Sequence, residues 1–207
     1  MTRDEVIKII NQNNGILLLP VAEKEGISRA YLSKLAKEGF LERADRGAYI
    51  LSDSIHDEMF YIQNKISKSI FSHETALYFH SLTDRTPNVY AFTVPTGVHV
   101  SERIKDESKV YYIKPELYDM GIIKIKNNFG NEIKIYDAER TVCDMIRSRS
   151  RCDTQVFTDA IKKYMARENN DFNKLYLYAK KLRVQKTLEQ YIEVMIWVAE
   201  QWVWKEK

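Results

Sequence analysis

Cysteine is scarce in this chain. Cys143 and Cys152 are the only two in 207 residues. They stand nine apart with no histidine paired to them, which argues against a disulfide framework and against a zinc site. The histidines, His56, His73, His80 and His99, have no ligand spacing. No P-loop, Gly-x-Gly-x-x-Gly, Gly-x-Ser-x-Gly or His-Glu-x-x-His pattern occurs, so the common phosphate-cradle, nucleophile-elbow and metalloprotease signatures are missing. Internal repeats and low-complexity tracts are absent as well. Charge of one sign is also in short supply. The net charge is +3, so no global field forces a nucleic-acid reading and any basic surface must be local. The most apolar stretch, "YIEVMIWVAEQWVW", is interrupted by Glu193, Glu200 and Gln201 and falls short of the roughly 20 residues a membrane span needs. The first residues lack a basic-then-apolar signal pattern. The expectation is a reduced, cytoplasmic protein with no membrane partner. What is present is enough for a core: hydrophobic residues make up 44% and aromatics 12%, and the length favours two compact units.

The first fifty residues predict a winged helix-turn-helix. Thr2 and Glu5 form a capping box ahead of Val6, Ile9 and Ile10 at helical spacing, and Asn14-Gly15 ends that helix. A short apolar run, Ile16–Leu19, is a strand candidate. Pro20 suits the first turn of a second helix, which stops at Gly26. Ser28 caps a third helix with Leu32, Leu35 and Ala36 facing inward, and Gly39 closes it in a left-handed turn. Helix, three-residue turn with glycine, helix is the spacing of a DNA-reading motif whose second helix enters the major groove. Its candidate contacts are Ser28, Arg29, Tyr31, Ser33, Lys34 and Lys37, in a segment with three bases and no acid from 28 to 37. Tyr31 can equally stack on a sugar or base or pack against the wing. Two short strands then flank Asp45-Arg46-Gly47, a hairpin that places Arg43 and Arg46 where a wing meets phosphate or the minor groove.

Residues 54–207 predict a second, mixed α/β domain. A linking helix is expected over about 54–70, from Ser54, and another after Ser72. The strand candidates are "NVYAFTVP", "KVYYIK", "GIIKIK" and "NEIKIY", the last two around the turn "NNFG". Asp137, Asp153 and Asp171 each cap a helix, and a last helix starts near Thr187. The fold class is therefore α+β: an N-terminal winged helix-turn-helix over 1–53, then a domain with a small sheet and a helical C-terminal half. Lys174, Lys180, Lys181, Arg183 and Lys186 form a second basic cluster. Arg147, Arg149, Arg151, Lys162, Lys163 and Arg167 precede it. It reads either as a further DNA or acidic-partner face or as a solvated one. The last helix is apolar nearly all round, from Leu188 to Trp204, which points to burial or to a partner, including a second copy.

The chain offers little that resembles catalysis. Glu132 and Lys134, with Asp119 upstream, have the acid-x-Lys pattern of a metal-dependent nuclease. The same residues also read as the solvent face of a strand whose other face is Ile133 and Ile135. In "DAERTVCDMIR", Arg140 and Asp144 are i, i+4 neighbours that can pair beside a packing face. No cofactor or metal is expected, and the protein is read as a non-enzyme.

Taken in order, "GISRAYLSKLAKEGFLERADRGAYIL", "FSHETALYFHSLTDRTPNVYAFTVP" and "YDAERTVCDMIR" resemble the AbiEi-type antitoxins of type IV toxin–antitoxin systems, linked to abortive phage infection. The resemblance spans nearly the whole chain. It implies an N-terminal winged helix and a C-terminal antitoxin domain. It also implies binding to inverted repeats in double-stranded operator DNA with repression of the protein's own operon, and action against a nucleotidyltransferase-like AbiEii toxin without a stable complex. Self-association on DNA is compatible with it. By position, Ser28, Arg29, Tyr31, Lys34, Arg43 and Arg46 match the recognition helix and wing, while Arg140, Thr141 and Asp144 match a structural signature. Two other classes compete on the sequence: a plain winged-helix regulator with a sensing or dimerising C-terminal domain, and the Mg-dependent nuclease.

Overall fold

The structure is a computed structural model that describes residues 2–52 and 57–194. The chain is α+β and folds as two compact units. One comprises the residues up to Ser67 together with Lys126–Ile133, and the other comprises Lys68–Ile125 and the chain from Lys134 onward.

The first unit is built as the caps direct. α1 (Arg3–Gln12) starts at a complete Thr2–Glu5 capping box and buries Val6, Ile9 and Ile10. β1 (Ile16–Leu18) leads directly into α2 (Leu19–Lys24), with Pro20 in its first turn. Gly26, at φ +76°, ends α2: its N–H donates to Glu23 O and that of Ile27 to Ala22 O, so two end carbonyls are satisfied. α3 (Arg29–Lys37) begins at Ser28, whose Oγ accepts from the Tyr31 N–H. It ends the same way at Gly39, with Gly39 N–H on Ala36 O and Phe40 N–H on Leu35 O. β2 (Leu41–Asp45) and β3 (Ala48–Leu51) follow, and β1 joins them in the order β1-β3-β2, antiparallel throughout. Helix, strand, helix, helix and a two-strand wing is the winged-helix order. Its core gathers Ile10, Leu17, Ile27, Leu32, Leu35 and Leu41 from these elements.

α4 (Glu58–Lys65) belongs to this first unit. The helix expected over about 54–70 ends earlier than that, and its expected start at Ser54 lies outside the described residues. Asp57 caps α4, accepting from the Phe60 N–H, and Ile70–Phe71 is already strand. Asp57 Oδ2 also accepts from the side-chain amides of Asn127 (2.6 Å) and Asn131 (2.7 Å), fixing the turn at 127–131 to the start of α4.

The second unit is built on a five-stranded mixed sheet with helices, apart from the segment Lys126–Ile133, which joins the last two strands in sequence and belongs to the first unit. Its strands are β4 (Ile70–Phe71), β5 (Tyr90–Pro95), β6 (Ser108–Ile113), β7 (Ile122–Lys126) and β8 (Glu132–Tyr136), in the order β6-β5-β4-β8-β7. β5 runs parallel to β6 and β4 parallel to β8, while β4 and β5 are antiparallel. α5 (His73–Phe79), α6 (Glu102–Glu107), α7 (Ala138–Arg147), α8 (Thr154–Met165), α9 (Phe172–Lys181) and a final helix over 185–194 complete it. α7, α8 and α9 are capped by Asp137, Asp153 and Asp171. Ser72 sits at the cap position of α5 without capping it. Its hydroxyl bonds instead to Thr93 Oγ1 and His73 Nδ1. Of the last helix's apolar residues, Leu188 is buried and Tyr191 and Ile192 pack beside the core. Met195, Ile196, Trp197, Val198, Trp202, Val203 and Trp204 lie outside the described residues.

Candidate nucleic-acid interface

α3 divides its residues as a 3.6-residue period requires. Leu32 and Leu35 are buried, while Ala30, Ser33, Lys34 and Lys37 are exposed on the opposite side. Arg29 and Lys34 are 72% and 69% exposed. Tyr31 lies one turn before Leu35 and is half-buried against the core of its own unit, so it is not on the outward face. Ser28 spends an oxygen lone pair on the cap.

Neighbouring elements temper the charge of the helix. Arg29 Nε donates to Glu23 Oε1 of α2 at 2.8 Å, and Lys34 Nζ lies 3.9 Å from Glu38, which also accepts from Arg3 at 2.7 Å. These are exposed pairs in high dielectric, worth about 0–1 kcal/mol each, so exchanging a carboxylate for a phosphate costs little.

The wing is short. Asp45 pairs with Ala48 across the two-residue tip Arg46-Gly47, and Gly47 takes φ +78°. The register slips by one between Glu42 and Asp45, a bulge that contains Arg43. Arg43 and Arg46 are both exposed. Between wing and α3 lies an open groove of about 770 Å³ lined by Leu18, Leu19, Pro20, Arg29, Ala30, Ser33, Arg43, Arg46, Gly47, Tyr49, Asn64 and Lys65. Four of the sequence candidates therefore converge on one concavity: Arg29, Ser33, Arg43 and Arg46. Ser28, Tyr31, Lys34 and Lys37 are outside its lining. Lys65 and Asn64, from the last turn of α4, are residues that sequence reasoning missed. Local pattern carries no signal for them, because they reach the groove only through the tertiary fold.

In the second unit the bases sort into two groups. Lys174 is tied to Asp137 (2.9 Å) and Glu139 (3.3 Å), which hold its ammonium above the usual lysine range despite partial burial. Arg147 and Arg151 make long hydrogen bonds, 3.5 and 3.4 Å, to the Tyr112 and Val110 carbonyls of β6. β6 is an edge strand, so these arginines cover open backbone acceptors. Arg149 donates to the Tyr191 hydroxyl. Lys180, Lys181, Arg183 and Lys186 stay exposed around the end of α9.

The polar groups of "DAERTVCD" are buried and bonded within their own unit. Arg140 is fully buried and donates to Asp144 (3.0 Å) and to the carbonyls of Leu117 and Met120 (2.8 Å each), with its guanidinium over the Tyr136 ring at 4.1 Å. His73 is buried too. Its ring bonds to Ser72 and Ser148 and stacks on Tyr111 at 3.4 Å, and Arg151 covers the Tyr111 ring at 4.1 Å. Burial first, then the nearby charges of Arg151, Arg147, Arg140 and Lys109, hold this imidazole well below its usual pKa. A second cavity, of about 390 Å³, is lined by Glu74, Arg85, Lys109 and Asp153 among others. Its charges face one another, with Lys109 on Glu74 at 2.8 Å and Arg85 on Asp153 at 3.5 Å. Glu132 is exposed while Ile133 and Ile135 are buried, the alternation of a strand with one wet face. Among the described residues no three His, Cys, Asp or Glu side chains gather as a metal-ligand set, and no helix is long and apolar enough to cross a membrane.

No family model matches the chain, and no curated protein matches it. Among solved structures it is similar to the crystal structure of the RV2827C protein from Mycobacterium tuberculosis. The TM-score is 0.61 at 10% sequence identity, over 84% of this chain and 69% of that one. At that identity the likeness establishes a shared fold.

Proposed function

We propose that the first unit binds double-stranded DNA in the groove between α3 and the wing, and that the whole protein is an antitoxin that represses its own operon and counteracts a nucleotidyltransferase-like toxin. The observation that carries the DNA reading is the convergence of Arg29, Ser33, Arg43 and Arg46 on one open concavity of an otherwise nearly neutral chain. Exposed guanidinium groups on two elements suit phosphates, and the small Ala30 and Ser33 let the helix backbone approach base edges. The antitoxin half rests on the order of the three sequence segments that resemble the AbiEi-type family. That resemblance also favours action without a stable toxin complex, and the scarcity of cysteine favours the cytoplasm as its setting.

Two measurements test the two halves. Fluorescence anisotropy with the duplex upstream of the protein's own gene should show binding about a thousandfold or more tighter than to an unrelated duplex, a discrimination inside the usual range of specific binders. Equal affinity for both would remove the repressor. Co-expression of the full chain with the adjacent toxin gene should restore growth, and growth no better than with toxin alone would remove the antitoxin.

A further inference from the structure

The wing tip is held from two sides. The Leu19 N–H donates to Gly47 O at 2.8 Å, and Lys65 Nζ donates to Arg46 O at 2.6 Å. Both carbonyls of the two-residue tip are therefore bonded to the body of the same unit, one from the start of α2 and one from the end of α4. Lys65 also lines the groove beside Arg29, Arg43 and Arg46. A tip of two residues, tied down at each carbonyl, has no slack with which to reach deep into a minor groove.

From this geometry we infer that Lys65 is a positioning residue that locks the wing as a phosphate clamp and adds a cation to the groove. The inference rests on the DNA reading above. Fixing the backbone under Arg46 before binding removes an ordering cost that a free hairpin would meet on the duplex. A clamp of this kind grips the backbone and carries no sequence information, so base choice falls to the outward face of α3.

The test uses Lys65→Met, which removes the donor and the charge, and Lys65→Arg, which keeps both. Two readouts are needed. The first is hydrogen exchange at the Leu19 amide in the free protein, because that N–H reports whether Gly47 O stays in place. Lys65→Met should speed it about tenfold and Lys65→Arg should leave it unchanged. The second is duplex affinity against salt. Lys65→Met should weaken the promoter duplex and an unrelated duplex by the same factor, about tenfold, and lower the slope of log K on log salt by about 0.9. Lys65→Arg should restore both. Faster exchange with unchanged affinity would make Lys65 merely structural and overturn the clamp. Lost affinity with unchanged exchange would make it a contact without a bracing role, and loss confined to the promoter duplex would make it a sequence reader. Wild-type protein that binds no duplex would remove the underlying DNA reading, while wild-type binding that Lys65→Met leaves intact would remove this inference alone.

Discussion

Gly121 has no room for a side chain. A Cβ there would lie 2.8 Å from the Arg140 Cβ and 3.2 Å from both carboxylate oxygens of Asp137, and the backbone sits at φ +84°. Arg140 cannot yield, because it is buried and bound to Asp144, Leu117 O and Met120 O. Gly121→Ala should therefore cost about 2–4 kcal/mol in urea unfolding, from left-handed strain plus overpacking. A change under about 0.5 kcal/mol would show that Arg140 is not held as described. His73 gives a pH prediction. Its folded pKa is lowered, chiefly by burial, so as pH falls through about 6.5 the unfolded chain takes up the proton first. Stability should be level above that point and decline below it, towards the lower folded value. His80, whose burial outweighs its bond to the Tyr136 carbonyl, acts in the same direction. His73→Asn, which tolerates the observed φ of +50°, should flatten part of the decline between pH 6.5 and 5. An unchanged slope would place the proton uptake elsewhere.

At the scale of elements, the end of α9 is informative. Arg183 takes the left-handed position usually given to glycine, with φ +60°, its N–H on Lys180 O and the Val184 N–H on Ala179 O. Arg183→Gly should stabilise the fold by about 0.5–1 kcal/mol. If DNA affinity also falls, the exposed bases around α9 belong to the interface; if affinity is unchanged, Arg183 is not part of it. The helices started by Thr2, Asp137, Asp153 and Asp171 were legible, because each of these side chains accepts a backbone N–H three residues on, whereas the Asp57 cap of α4 was missed in favour of Ser54. β4 has two residues and α6 has six with Ile104 alone buried, too few for any period to emerge. The groove was legible in part. α3 and the wing announce their cations locally, and Glu38 follows Lys34 by four residues, but Glu23 and Lys65 meet these cations only through packing. The arginines at 147 and 151 read as a basic face until β6 is seen to be an edge.

Across the whole molecule, a net charge of +3 conceals a division of labour. In the second unit several bases are engaged: Lys109, Lys163 and Lys174 pair with acids, and Arg147, Arg149 and Arg151 serve backbone or tyrosine, while Lys180, Lys181, Arg183 and Lys186 stay exposed. In the first unit Arg29 and Lys34 are mostly exposed and held only by weak surface pairs, while Arg43 and Arg46 face the groove. Binding should therefore depend on salt, with the bases of α3 and the wing carrying part of the slope. The most direct test is the slope of log K on log salt for promoter duplex with wild type, Arg29→Ala and Lys34→Ala, with Leu35→Ala as a folding control expected to lose about 2–5 kcal/mol. Arg29→Ala should reduce the slope by about 0.9 with the fold intact. Lys34→Ala, outside the groove lining but on the outward face, should either do the same or relax specificity at one base pair. Unchanged affinity and slope in both variants would contradict the claim that this helix face grips DNA.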